Sequence, residues 1–302
     1  MNKDDINLTI LGNNIAGLSG KITSLRRAID VFQPGIIMLQ ETKTQNKVKV
    51  KISGFTVFEK NREQNEGGGL MSIVHENLMP TEIPDTHSEF LIVDVKGDFG
   101  EVRTINCYGP QETLPLSTRA EFFIEMESRI ISAKDNQKLI CIQLDANSKL
   151  GSQIIKGDPN DMSSNGKLLL EVVTKHNLIV VNSTDKCFGL ITRFKETKLG
   201  EERSVIDFFI VCDELFQRVV KMEVDEKRQH VLTKFRKYKN KSVVTESDHN
   251  ILILSLKFRW SSKLQIKQKE IYNLKDESGL DAFRENTSHC SNLTKLVQTE
   301  NY

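Results

Sequence analysis

Ser247-Asp248-His249-Asn250-Ile251-Leu252-Ile253-Leu254 sets a carboxylate and an imidazole directly before an apolar, strand-like run. Neighbouring side chains of a regular strand point to opposite faces, so Asp248 and His249 can serve one cleft only if the triplet Ser247 to His249 lies in the loop that enters the strand. Polar residues stand at similar places upstream. Glu41 closes Ile36-Ile37-Met38-Leu39-Gln40, Tyr108 closes Val102 to Cys107, Asp145 with Asn147 closes Leu139 to Leu144, and Asn14 follows Ile6 to Leu11. Carboxylates beside an imidazole at strand mouths can bind a divalent cation and hydrolyse a phosphate ester, so the chain reads as an enzyme.

Further β-branched, apolar runs extend the series: Phe55 to Phe58, Gly69 to Val74, Phe90 to Val95, Leu178 to Val181 and Val205 to Val211. Helical periodicity appears in Lys21 to Phe32, Ser117 to Ala133 and Asn165 to His176. Some strands follow one another through turns, as at Lys96-Gly97-Asp98-Phe99-Gly100, while others are separated by a helix. This mixture predicts an α/β sandwich of two packed sheets with outer helices.

With 302 residues the chain can bury one large core, placed at residues 1–260, and the polar, weakly helical stretch 261–302 reads as a tail or linker. No apolar run approaches the length of a membrane span. The segment Met1 to Asp5 leads straight into a strand-like run, without the pattern of a signal peptide, so cytoplasm or nucleus is expected. Five scattered cysteines with no C-x-x-C pair read as small buried hydrophobes of a reducing compartment. The net charge of +1 neither favours nor excludes nucleic acid.

Each candidate residue has a bland alternative. Asp145-Ala146-Asn147 puts two polar side chains on one face if extended, fit for activating a water, but the same residues suit an Asx-turn. Glu41 is either a Mg²⁺ ligand or a solvated acid at a loop. Asp207 interrupts Ser204-Val205-Ile206-Asp207-Phe208-Phe209-Ile210-Val211, where an unpaired charge is costly. It needs a partner such as His249, whose pKa it would raise, or else backbone amides to cap. Tyr108, before Gly109-Pro110, either contacts phosphate or anchors a turn. Gly67-Gly68-Gly69 precedes a strand, not a helix, and reads as a tight turn.

In this order the motifs resemble those of the endonuclease/exonuclease/phosphatase superfamily, over about Ile6 to Trp260. Asn14-Ile15-Ala16-Gly17-Leu18 looks like the first motif, followed by Gln40-Glu41-Thr42, Tyr108-Gly109-Pro110, Asp145-Ala146-Asn147, Ser204 to Asp207, and Ser247-Asp248-His249. The resemblance implies a four-layered α/β sandwich in which Glu41 and Asp248 hold Mg²⁺ or Mn²⁺, with Asn14 contributing to the metal and phosphate site. Asp145 would activate water, Asn147 position it, Tyr108 contact the phosphate, and His249, oriented by Asp207, stabilise the transition state. The repair enzymes of the superfamily commonly carry an acid where this chain has Ala16, which turns the reading away from abasic sites.

Thr192-Arg193-Phe194 ahead of Ser204 to Asp207 resembles instead the nuclease of LINE-type, non-LTR retrotransposons, and Tyr272 to Phe283 the segment leading towards a reverse transcriptase. The implied activity is nicking of duplex DNA to leave a 3′-hydroxyl, by a domain or fragment of such an element. Arg193 would meet duplex phosphates, and the basic run Lys227 to Lys241, with Lys234, Arg236, Lys237 and Lys239, would be a loop over them; the alternative is a mobile, solvated insertion. Competing functions are a phosphatase, phosphodiesterase or RNA-directed nuclease on the same fold, or a degenerate domain that binds nucleic acid without turnover.

Overall fold

The structure, a computed structural model, describes residues 6–44, 50–62, 67–97, 100–198, 200–238 and 241–260. Seven strands, numbered along the chain, form one mixed sheet: β10 (Cys187–Phe188), β14 (Val219–Val224), β17 (Leu252–Trp260), β1 (Ile6–Asn14), β2 (Ile36–Gln40), β4 (Leu70–His75) and β3 (Phe55–Lys60). Six form a second: β5 (Thr81–Ile83), β6 (Phe90–Gly97), β7 (Gly100–Tyr108), β8 (Leu139–Asp145), β13 (Asp207–Cys212) and β9 (Leu178–Val180). Two hairpins stand apart, β11 (Arg193–Thr197) with β12 (Gly200–Ser204) and β15 (Thr233–Tyr238) with β16 (Lys241–Glu246). The helices are α1 (Ile22–Phe32), α2 (Leu116–Asp135), α3 (Ser164–Lys175) and the single turn α4 (Asp213–Phe216).

Strand alternation builds the layers. Ile10, Ile36, Met38 and Val74 share a buried cluster with Phe90, Ile92 and Ile105 of the second sheet. Their neighbours Leu11, Ile37, Leu39 and Ile73 point the other way, onto Leu25 and Ala28 of α1. Helices α2 and α3 bring Phe122, Met126, Ile130, Leu169 and Val172 to the second sheet. The result is the expected four-layered α/β sandwich, and each such large apolar side chain contributes about 1.5–3 kcal/mol on burial.

Topology gathers the candidate residues at one edge. Strand β1 runs parallel to β2 and β7 parallel to β8, with α1 and α2 as the crossovers, so Asn14, Glu41, Tyr108 and Asp145 all sit at carboxyl ends. Strand β13 is antiparallel to β8, which sets Asp207 at its start directly opposite Asp145 at the end of its partner. Strand β17 pairs antiparallel with β1, Leu252 opposite Gly12, and so the preceding Ser247 to His249 reaches the same edge.

Beneath this edge the two sheets meet through polar side chains. Gln40 donates to Asn106 Oδ1 (2.6 Å) and to Gln143, all three fully buried, and Asn106 Nδ2 donates to the carbonyls of Leu39 (3.2 Å) and Met71 (3.0 Å). Gly12 is required above them, because a Cβ there would lie 2.5 Å from the Gln143 side chain.

Three sequence expectations are corrected. Ser204 ends β12 and only Asp207 opens β13, so Asp207 does not interrupt a strand but stands at its mouth. The basic run is not a loop: Thr233–Tyr238 is a strand paired with Lys241–Glu246. A hairpin outside the two main sheets has no face to bury in their core, so it carries no marked apolar alternation. The third concerns Asp145 and Asn147 and is described below. Residues 261–302, read as a tail, lie outside the described residues; the unit holding all elements above spans Met1–Ser262. Cys107, Cys141 and Cys212 are buried and Cys187 partly so, all as free thiols, while Cys290 is outside the described residues. No described helix is long and apolar enough to cross a membrane.

Candidate active site

His249 is the centre of the site. Its Nδ1 lies 3.0 and 2.9 Å from the two carboxylate oxygens of Asp207, so Nδ1–H is the donor, since an ionised carboxylate only accepts. Its Nε2 faces Asp145 Oδ2 and Asp248 Oδ1, each at 3.9 Å. Asp145, Asp207 and His249 are all buried, at 1%, 0% and 5% exposure. Burial by itself would lower the pKa of the imidazole, but the charges of Asp207 and then Asp145 push it up to about 9. The Asp145 carboxyl is raised to about 7, first by burial and then by the like charge of Asp207, with His249 and the Asn14 hydrogen bond opposing.

The triplet Ser247 to His249 lies between β16 and β17, in a loop, as joint access for Asp248 and His249 required. Ser247 fixes it. Its Oγ donates to the Asn14 carbonyl at 2.5 Å and accepts from the His249 amide at 3.1 Å.

Asn14 Nδ2 donates to Asp145 Oδ2 at 2.7 Å, and its Oδ1 accepts from the Ala16 amide at 3.0 Å. Asn147 does not extend the strand beyond Asp145. It has a left-handed backbone, φ +44°, and its amide donates to Asp145 Oδ1 at 3.1 Å, an Asx-turn. The shared-face argument from an extended chain therefore fails, because the turn's own hydrogen bond is available locally. Asn147 is still brought to the site by its turn, with Nδ2 donating to the Gly109 carbonyl at 2.9 Å.

Glu41 accepts the Tyr108 hydroxyl at 2.7 Å on Oε1 and pairs with Lys43 Nζ at 2.6 Å on Oε2. Desolvation acts to raise its pKa, but hydrogen bonds from Lys43 and Tyr108 and the Lys43 charge outweigh it, so the carboxyl is held below the usual range. Tyr108 therefore reaches the candidate ligand Glu41 first. Both Glu41 and Lys43 are left-handed, at φ +50°, and the glycine turn holds them: Thr42 and Lys43 donate their amides to the carbonyls of Gly69 (3.1 Å) and Gly68 (2.9 Å). Gly69 has φ +89°, and a Cβ on it would fall 2.7 Å from Thr42 Oγ1.

Asp248 Oδ2 accepts Arg193 Nε at 2.8 Å, and its carbonyl accepts the Phe194 amide at 2.8 Å. The root of the β11–β12 hairpin is thus tied to the triplet. Thr192, fully buried, accepts the amides of Ile206 (3.0 Å) and Asp207 (3.1 Å) on Oγ1. Lys234 is half-buried with its stem over Gly20, Arg236 and Lys237 lie in β15, and Lys239 is outside the described residues.

Among the described residues, Asp145, Asp207 and His249 form a set whose candidate ligand atoms lie within 4.8 Å of one another. Asp207 and His249 already satisfy each other there, leaving little for an ion. Glu41 and Asp248 offer hard oxygens of the type Mg²⁺ prefers, and each is paired with one cation, Lys43 or Arg193. Oxygen donors of this kind suit a hard divalent metal better than an imidazole does.

Sequence reading missed Lys43 and Lys21. Lys21 is 1% exposed, donates to the Ile15 carbonyl at 2.5 Å, and is pushed down to about 8 by burial and then by Lys43. Nothing in its position after Gly20 distinguishes it from a solvated lysine. Lys43, two residues from Glu41, was within reach of a charge-pairing argument.

No family model matches the chain. Exodeoxyribonuclease III of Haemophilus influenzae is 24% identical over 147 residues, covering 44% of this chain; the chain spans about half, 55%, of that relative's length. The endonuclease domain of TRAS1, a telomere-specific non-LTR retrotransposon, superposes with a TM-score of 0.62 at 17% identity, over 82% of this chain and 98% of that domain. The AP endonuclease LMAP from Leishmania major gives 0.64 at 13% identity, over 83% and 88%. The chain shares the α/β-sandwich fold of these nucleases. At the edge described above, where strands of both sheets end together, it carries Asn14, Glu41, Tyr108, Asp145, Asp207 and His249.

Proposed function

We propose that the chain is a divalent-metal-dependent nuclease that hydrolyses DNA phosphodiester bonds and leaves a 3′-hydroxyl, in the manner of a target-nicking domain of a non-LTR retrotransposon. The observation that carries the reading is the convergence of Asp145, Asp207 and His249 with Asn14 and Glu41 at one sandwich edge. Asp145 is the general base for water, its pKa of about 7 suiting proton abstraction near neutrality. Asn147 positions that water. His249 is kept protonated by Asp207 and stabilises negative charge building on the phosphate. Tyr108 orients Glu41 and contacts the phosphate, and Asn14 fixes Asp145. Glu41 and Asp248 would hold Mg²⁺ or Mn²⁺, which when bound supplies a Lewis acid for the phosphate oxygens.

Thr192-Arg193-Phe194 at the hairpin root, which resembles the retroelement pattern, favours an element of that kind, and the fold shared with the TRAS1 endonuclease domain is compatible with it. Duplex DNA is the proposed partner, with Arg193 beside Asp248 and the basic strand β15 supplying cations for phosphates. The test is end chemistry. A labelled duplex incubated with Mg²⁺ should yield nicks that a DNA polymerase extends without prior phosphatase treatment. Nicks that need such treatment would exclude the 3′-hydroxyl product, and release of phosphate from small esters without nicking would move the function to a phosphatase.

A further inference from the structure

The loop carrying Tyr108 and the turn carrying Asn147 belong to different strands, yet they are laminated together. Gly109 donates its amide to the Asp145 carbonyl at 2.7 Å, and Asn147 Nδ2 returns a bond to the Gly109 carbonyl at 2.9 Å. A Cβ on Gly109 would lie 2.5 Å from the Ala146 carbonyl oxygen, so the two backbones are in direct contact. These bonds continue the β7–β8 pairing, which ends at Tyr108 and Asp145, one step past the strands. Beyond that point both segments are held from the start of α3.

Asn165, 0% exposed, is in the first turn of α3. Its Nδ2 donates to the Pro110 carbonyl at 2.7 Å and to the Asn147 carbonyl at 3.4 Å. Its own amide donates to Glu112 Oε1 at 2.9 Å, and its Oδ1 accepts Arg119 Nη1 at 2.8 Å. All polar atoms of this buried amide are thereby used on the two loops and on α2. Arg119, itself nearly buried, closes the arrangement by donating to the Leu114 carbonyl at 2.9 Å and to Ser164 Oγ at 2.8 Å. The helix cannot slide away. A Cβ on Gly166 would collide with the Lys149 carbonyl oxygen, and Lys149 and Ser163 exchange two hydrogen bonds, 3.0 and 2.9 Å.

We propose that Asn165 is a positioning residue for the hydrolytic reaction: one buried amide, braced by Arg119, holds the Pro110 and Asn147 backbones in place just beyond the strand ends, and with them the groups that meet water and phosphate. The inference rests on the nuclease reading above. Asn165 touches no substrate and acts through Pro110, Asn147 and Glu112. Its loss moves groups that must meet water and phosphate together, so it lowers kcat and leaves binding nearly unchanged. Displacements of this kind remote from the chemistry cost about a hundredfold in rate.

The test measures kcat and KM for duplex cleavage in wild type, Asn165→Ala, Asn165→Asp and Thr104→Val, with melting temperatures for each. Thr104 is buried in mid-β7, donating to the Val93 carbonyl, and serves as a control for stability loss alone. Asn165→Ala should lose about a hundredfold in kcat with KM within about threefold. Asn165→Asp keeps the acceptor for Arg119 but turns a carboxyl oxygen onto the Pro110 and Asn147 carbonyls, and should lose kcat as Asn165→Ala does, with a lowered melting temperature. Thr104→Val should melt lower and keep kcat. An active wild type with Asn165→Ala at wild-type kcat and a lowered melting temperature would overturn the positioning role alone; an inactive wild type would overturn the nuclease reading and this inference with it.

Discussion

Replacing Asp207 by asparagine tests whether His249 works as a cation. In the wild type both carboxylate oxygens lie about 3 Å from Nδ1, and the imidazole pKa is about 9 although burial opposes charge. The Asp207→Asn amide keeps the shape and loses the charge. The charges of Asp145 and Asp248 are then left to offset burial, and the pKa returns towards its ordinary value. With pKa values of about 9 and about 6.5, the protonated fraction at pH 8 falls about thirtyfold, and at pH 6 by less than about twofold. The rate of duplex cleavage should therefore show a pH-dependent deficit: about thirtyfold at pH 8 and within about twofold at pH 6.

Stability follows the same sign. A raised imidazole pKa means that the folded state binds the proton more tightly. The stabilisation is complete below about pH 6.5 and is lost as pH rises through about 9; the interval is worth on the order of 3 kcal/mol. Asp145 has the same sign in a lower window. Its carboxyl, raised to about 7, also makes the fold lose stability as pH rises from about 4 to 7, and the two groups titrate as a coupled pair. The assay is a pH–rate profile from 5.5 to 9.5 with melting curves at both ends. Equal deficits at pH 6 and pH 8 would refute the charge argument and leave Asp207 with orientation alone.

Glu41→Gln should raise the Mg²⁺ concentration needed for half-maximal cleavage by tenfold or more, read from a metal titration at saturating DNA, because a carboxylate of the proposed hard-donor pair is lost. Tyr108→Phe removes the 2.7 Å bond to Glu41 and should slow cleavage about tenfold with the melting temperature little changed. Gly69→Ala should destabilise by about 1–3 kcal/mol in urea unfolding, since φ +89° and the 2.7 Å approach to Thr42 Oγ1 both oppose a side chain.

The layers of the sandwich were legible because the apolar runs are strongly patterned: ten of them became strands, with boundaries shifted by a few residues, and three helical stretches became α1 to α3. The polar hairpins β11–β12 and β15–β16 were not, since strands outside the main sheets need no buried face. At the site, residue type and placement at strand ends brought forward Asp145, Asp207 and His249, and the pairing of Asp207 with His249 followed from the cost of a lone buried charge. The turn that braces Glu41 was hidden. Gly68 and Gly69 looked like a turn serving its own strand, whereas their carbonyls brace a segment 25 or more residues earlier in the chain. Asn165 gave no signal either, because a buried asparagine at a helix start reads as a cap until the loops it holds are seen in space.

The most direct test is the initial rate of supercoiled-plasmid nicking in Mg²⁺ for wild type, Asp145→Ala and His249→Ala, each with and without EDTA. Metal-dependent nicking by the wild type alone, with both variants folded and silent, is the predicted result. Nicking that survives EDTA or either substitution, or a folded wild type that binds DNA and never cuts, would contradict a hydrolytic centre built on Asp145 and His249.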